Sequence, residues 1–190
     1  MDIVERQIEL IEASLSRLGA RLPELPINEI VGLRLIFLLA HEFGAMLEHH
    51  IRPYGLGEGE FRVLSALFSQ PGGTAHPGDL CARASQRPAN MSRISDALVR
   101  RDLITRGASS EDRRRMVLRI TGSGEALVRQ LLPQIFAPLR ELYLTHSEAE
   151  QRQLIDLLKR LAGRFGQVTA SVDADSAMDA DSAVDAGTAI

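Results

Sequence analysis

Residues 79 to 127 read DLCARASQRPANMSRISDALVRRDLITRGASSEDRRRMVLRITGSGEAL, and the pattern of this stretch decides the fold. From Pro88 the spacing predicts a helix with Met91, Ile94, Ala97 and Leu98 on one buried stripe. Asn90, Ser92, Arg93 and Arg100 fall largely off that stripe, so the helix turns polar side chains outward near its N-terminal end. Asp79 to Ala84 reads as a shorter helix ahead of it, with SQRP at 85 to 88 as the break. Leu103 to Arg106 and Met116 to Ile120 are β-rich in residue choice, flank GASSEDRRR, and predict a two-stranded hairpin with a basic tip.

A short helix, a tight turn, a second helix with an exposed polar end and then a hairpin is the layout of a winged helix-turn-helix. The chemistry suits that layout. Asn90 and Arg93 are residue types that pair bidentately with adenine and guanine edges, and Ser92 donates to phosphate or base. Arg87 stands at the start of the same helix, where the backbone itself favours phosphate. Arg113, Arg114 and Arg115 on a narrow hairpin match the negative potential of phosphates or of a narrow minor groove. Between Arg83 and Arg119 there are ten arginines against four acids, a footprint for a polyanion inside a chain whose formal net charge is −3.

Working outward, Val4, Ile8, Ile11, Leu15 and Leu18 form a seam of alternating four- and three-residue spacings that needs a partner. Pro23 and Pro26 break the chain, and Asn28 is expected to cap a long helix whose apolar positions, from Ile30 to Leu47, lie on more than one face. His49, His50, Arg52 and Pro53 end it, and the GLGEGEF loop leads to a helix carrying Phe61, Leu64, Leu67 and Phe68. PGGTAHPGD reads as a loop. After the hairpin, Thr121 opens a helix with the stripe Leu127, Leu131, Ile135, Leu139 and Leu142, in which Pro133 and Pro138 predict a kink or break. Ser147 and Glu150 form a capping box for a last helix with Leu154, Leu158, Leu161 and Phe165 on one side.

Residues 168 to 190 carry five Asp and no Lys or Arg, in the degenerate repeat DADSAM, DADSAV, DAGTAI, and are expected to be a disordered, solubilising acidic tail. The apolar run Ile30–Leu47 is interrupted by Gly32, Arg34, His41 and Glu42, so no membrane span is expected. The opening MDIVERQIEL lacks the features of a signal peptide, which points to the cytoplasm and the nucleoid.

The stretch from Asn90 to Leu127 resembles the signature of MarR-type regulators: a recognition helix, a strand, an Asp-x-Arg wing in Asp112, Arg113 and Arg114, a second strand, and then Thr with Gly shortly after it. The resemblance spans roughly residues 27 to 166, and LPINEI before the long helix further resembles the EmrR/MprA branch, repressors of multidrug efflux operons that respond to uncouplers and salicylate-like compounds. It implies a mostly α fold with a small hairpin wing, Asp112 orienting Arg114 into the minor groove, and a homodimer on a pseudo-palindromic operator. The expected divisions are N-terminal dimerisation helices at 1–56, the winged helix-turn-helix at 57–121, C-terminal dimerisation helices at 122–167 and the tail at 168–190. One departure is Asp102, where the family commonly has Gly.

The resemblance also implies an effector pocket between the dimerisation helices and the DNA-binding lobe, for which Arg34, Phe37, His41, His49, Arg52 and Phe61 are the candidates. Arg and His counter a carboxylate or phenolate, and Phe stacks on an aromatic ring. An aromatic-acid catabolism or stress-response regulator is the alternative to an efflux repressor. A zinc site from His41, His49 and His50 lacks an acidic or Cys complement at ligand spacing, so neither metal nor cofactor is expected. The lone Cys81 reads as a small buried residue. No phosphate loop, nucleophile elbow or metal-binding His pair points to an enzyme.

Overall fold

The computed structural model describes the backbone of residues 2–108 and 115–186, with side chains through residue 169. Among the described residues, seven α-helices and three strands follow in the order α1 (Ile3–Arg21), α2 (Ile27–Ile51), α3 (Glu58–Phe68), β1 (Thr74–Ala75), α4 (Pro77–Arg83), α5 (Pro88–Arg100), β2 (Ile104–Ala108), β3 (Met116–Ile120), α6 (Gly122–Leu142) and α7 (Glu148–Ala186). The chain divides into two units, Met1–Phe136 and Ala137–Ile190.

In the first unit one core gathers the apolar stripes of α3, α4, α5 and α6 around the sheet. Val63, Leu64, Leu67, Leu80, Leu98, Leu118, Val128 and Leu131 are fully buried there. Their spacing is why these segments are helices: each stripe is covered by its neighbours and the opposite face stays in water. The sheet is three-stranded and antiparallel in the order β1-β3-β2, with Ile104 opposite Ile120 and Arg106 opposite Leu118. The predicted two-stranded hairpin therefore gains a strand. Thr74 and Ala75, placed in a loop by their Pro and Gly neighbours, pair with Arg119 and Leu118. The winged helix-turn-helix is otherwise the expected one.

Other corrections are local. Helix α2 starts at Ile27, and the Pro26 carbonyl takes the Ile30 N–H at 3.0 Å, so Asn28 lies inside the first turn instead of capping it. Helix α6 is one continuous element through Pro133 and Pro138. Each proline removes one backbone donor, and burial of Leu131 and Ile135 in the first unit offsets the loss at Pro133. By length and composition Ile27–Tyr54 is apolar enough to cross a membrane, with mean hydropathy reaching 1.7, against the sequence expectation. Gly32 and His41 interrupt an apolar run less than charges do.

In the second unit α7 opens on the expected capping box: the Ser147 N–H and hydroxyl donate to Glu150 Oε2 at 2.8 and 2.7 Å, and Ser147 Oγ accepts the Glu150 N–H at 3.3 Å. Its helical backbone runs to Ala186, beyond residue 168 where disorder was expected.

Candidate nucleic-acid interface

Helix α5 is fixed to the core along one side and at both ends. Met91, Ile94, Ser95 and Leu98 are buried, while Arg87, Ser92 and Arg93 are exposed and Asn90 is half-buried. Pro88 begins the helix, and the Arg87 carbonyl accepts the Asn90 and Met91 N–H groups at 3.0 and 3.1 Å.

The turn into α5 and the turn out of it use the same device. After α4, Ser85 takes a left-handed φ of 52°, its N–H bonds the Ala82 carbonyl and the Gln86 N–H bonds the Cys81 carbonyl at 2.8 Å. After α5, Asp102 takes φ 55°, its N–H bonds the Val99 carbonyl at 2.9 Å, and the Leu103 N–H bonds the Leu98 carbonyl at 3.0 Å. Both are Schellman caps with a residue other than Gly in the left-handed position. The expectation that Asp102 changes the capping resolves to a glycine-type turn made by aspartate.

Thr121 then locks the exit from the sheet. Its hydroxyl donates to the Asp102 carbonyl at 2.7 Å and accepts the Gly124 N–H at 3.0 Å. A side chain on Gly124 would collide with the Leu103 carbonyl oxygen, which explains the glycine shortly after this threonine.

Charge is not uniformly available for a polyanion. Arg106 on β2 pairs with Asp96 of α5 at 2.6 Å, joining wing to helix. Arg101 donates to the Gly55 and Tyr54 carbonyls at 2.6 and 2.5 Å, clamping the end of α5 to the turn after α2. The Tyr54 hydroxyl in turn accepts from Gln130 and Gln134 of α6, both at 3.2 Å. His76 ahead of α4 bonds the Met116 carbonyl at the base of β3 at 3.0 Å. Arg101 and Arg106 are therefore structural members of the arginine-rich stretch. Arg115 is exposed in the bend before β3; Asp112, Arg113 and Arg114 lie outside the described residues.

On the polar side of α5, Asn90 Nδ2 donates to Gln86 Oε1 at 2.7 Å, and Asn90 Oδ1 accepts Nε and Nη2 of Arg93 at 3.1 and 2.9 Å. Sequence reasoning named Asn90 and Arg93 and missed Gln86, Arg101 and Tyr54. Gln86 gave no periodic signal because it sits in a turn, and the Arg101 clamp spans 46 residues of chain.

The effector candidates separate. Arg34, Phe37 and His41 share an open groove of about 670 Å³ with Gln7, Leu10 and Leu18 of α1. His49 and Arg52 line a shallower one with Glu48 at the other end of α2. His41 and Arg52 meet again in a recess with Leu56 and Glu58. Phe61, at 8% exposure, packs in the core and lines none of these three recesses. His49 and His50 stand edge to face with centroids 5.5 Å apart, and no group of three or more His, Cys, Asp or Glu able to hold a metal occurs among the described residues. Cys81 is half-buried and packs against the core.

Comparison with known proteins bears on this interface. Residues 54–115 match the model of the MarR family. The chain is 32% identical over 162 residues to the transcriptional repressor MprA of Escherichia coli, covering 83% of this chain and 90% of that one. Its fold resembles a MarR mutant from E. coli solved in complex with operator DNA, with TM-score 0.61 and 24% identity over 73% of this chain and 99% of the other. Bordetella bronchiseptica BpsR, described in its solved structure as regulated in DNA binding by 6-hydroxynicotinic acid, has TM-score 0.59 and 22% identity over 68% and 91%.

Proposed function

Because the chain belongs to the MarR family, as a DNA-binding transcription regulator and not an enzyme, we propose that it is a homodimeric repressor of a multidrug efflux operon, released from its operator by small aromatic or lipophilic weak acids. The observation that carries this reading is α5, pinned at both ends with Arg87, Ser92 and Arg93 on its solvent side, in a chain 32% identical to a transcriptional repressor. Two such helices, one from each protomer, enter successive major grooves about 34 Å apart on a pseudo-palindromic site. The wing arginines 113 to 115 take the flanking minor groove and phosphates, with Asp112 orienting Arg114. The protein acts in the cytoplasm, on the nucleoid.

Dimerisation is supported by the large apolar side chains left exposed among the described residues. Phe37 and Leu39 on α2 are 70% and 65% exposed, and Leu154, Leu158, Leu161 and Phe165 on α7 are exposed as well. The inducer is assigned to the α1–α2 groove, where Arg34 and His41 meet an anionic group and Phe37 meets a ring. A ligand that prefers a spacing of the recognition helices unsuited to DNA weakens binding by its differential affinity, and about 1–3 kcal/mol releases an operon several-fold or more.

Selection from a pool of random duplexes should return a pseudo-palindrome, bound with a steep inverse dependence on salt. Calorimetry with salicylate, on free dimer and on the selected complex, should show weaker binding to the complex; equal affinity for both removes this class of inducer. The alternative, a regulator of aromatic-acid catabolism or stress response, draws support from the fold shared with BpsR and its 6-hydroxynicotinic acid. A catabolic substrate that binds more tightly than salicylate, and still releases DNA, would favour it.

A further inference from the structure

We infer that Asn90 and Gln86 are positioning residues that aim Arg93, and that Arg93 alone of the three meets a base. The inference rests on the reading of α5 as the recognition helix and refines it. Arginine has no acceptor, so the atom of Asn90 facing Arg93 must be Oδ1. That oxygen takes two N–H groups of Arg93, at 3.1 and 2.9 Å, which fills its two lone pairs. Nδ2 is thereby turned the other way, into Gln86 Oε1 at 2.7 Å. The direction of every bond along this rail is set by the one member that only donates.

The rail also has a foundation. Gln86 is half-buried in the turn between α4 and α5, its backbone N–H held by the Cys81 carbonyl at 2.8 Å and its side-chain amide reaching the Ala84 carbonyl at 3.3 Å. Gly59 of α3 lies beside it: a Cβ there would meet Gln86 Oε1 in ordinary contact at 3.5 Å, whereas the end of the Ile94 side chain, 2.9 Å away, would have to shift. Gln86 is thus set against the core, Asn90 is tied to Gln86, and Arg93 is tied to Asn90.

Two consequences follow from hydrogen-bond capacity. For Asn90 to pair bidentately with adenine it needs a free Oδ1 beside Nδ2, and Oδ1 is fully used. Arg93 spends its Nε–Nη2 edge on Asn90 and keeps its Nη1–Nη2 end, the fork that matches O6 and N7 of guanine. Holding a long, exposed guanidinium in place before contact removes much of the entropy that docking would otherwise cost.

The test uses the full-length dimer and a pool of random duplexes, with binding-site selection as the readout. Arg93→Ala should erase one guanine preference per half-site and lower affinity for the selected site about tenfold to a hundredfold. Asn90→Ala should weaken that same position and no other, and in an Arg93→Ala background should change neither the profile nor the affinity. Gln86→Ala should act at the same position with a smaller effect. Asn90→Asp keeps an acceptor for Arg93, so the guanine preference should return while the added negative charge lowers affinity evenly across all sequences. A merely structural role would not restore a single base preference in this way.

A separate base position lost in Asn90→Ala, or a new cytosine preference in Asn90→Asp, would show that residue 90 reaches the base edges and would overturn the rail. Unchanged profiles in both Arg93→Ala and Asn90→Ala, with DNA still bound, would instead remove α5 as the reading element and the inference with it.

Discussion

The middle of the chain and its ends satisfy the same apolar demand in opposite ways. Among the described residues, all of the buried apolar side chains fall between Leu47 and Ile135, whereas α1 buries none and the 25-residue α2 buries only Leu47 and Ile51. Of the exposed large apolar residues, all but Val99 and Met116 precede residue 44 or follow residue 135. A region that covers its own stripes owes its stability to itself. A region that leaves them bare offers the surface that the proposed homodimer would bury, and its stability would then vary with concentration. In the regulator proposed above, the middle would carry the reading head and the ends the contact between protomers.

The largest expected effects test that division directly. Leu64 is fully buried on α3, so Leu64→Ala should cost about 2–5 kcal/mol at any protein concentration. Leu39→Asp, at a position 65% exposed, should leave the fold of the middle region intact and shift sedimentation toward monomer. Unfolding by Leu39→Asp as severe as by Leu64→Ala would break the comparison.

Next comes the seam where the sheet meets α6. Gly124→Ala puts a Cβ onto the Leu103 carbonyl oxygen and near the Ile120 side chain, and backbone cannot give way as a flexible side-chain end does. We expect a loss of about 3 kcal/mol in chemical denaturation, at the upper end of overpacking costs. Gly122→Ala, two positions earlier with nothing within 4 Å, should stay within about 0.5 kcal/mol of the parent. Equal effects of the two would mean that the seam is not tightly packed.

A smaller effect of opposite sign is expected at Asp102. Its φ of 55° lies where glycine is at ease and a Cβ is not, so Asp102→Gly should stabilise the middle region by about 1 kcal/mol. Because Thr121 holds the Asp102 backbone carbonyl, that bond survives the substitution. Destabilisation would show that the aspartate side chain contributes something beyond the turn.

How far the sequence is legible follows the same line between local and distant causes. The stripe Met91, Ile94 and Leu98, the strands around the wing and the Ser147–Glu150 box are visible because each is written within a few residues. Strand β1 is not, because two residues acquire their conformation only from Arg119 and Leu118, far along the chain. Arg101 and Arg106 count as basic surface in the sequence and are bound to Gly55, Tyr54 and Asp96 in the fold. Phe61 has an aromatic ring fit for a ligand and spends it on the core. Asn28 is a capping residue type, but α2 already begins at Ile27, after Pro26.

The smallest expected effect lies at the start of α7, where an end of the chain has a local device of its own. The Ser147 hydroxyl, then its backbone N–H, hold the fully exposed Glu150 carboxyl below the usual carboxylate range. A folded-state value lowered in this way means that the charged form favours the cap. The contribution is fully present above the pKa of the unfolded chain and is lost as pH falls through the lower folded value. Amide exchange in the first turn of α7, corrected for its intrinsic pH dependence, should therefore quicken on acidification through that window. Glu150→Gln keeps an acceptor for Ser147 and cannot ionise, so its protection should stay level over the same range. A parallel loss of protection in Glu150→Gln would assign the acid sensitivity to the association of the apolar faces, and the cap would then have no independent part in holding this end of the chain.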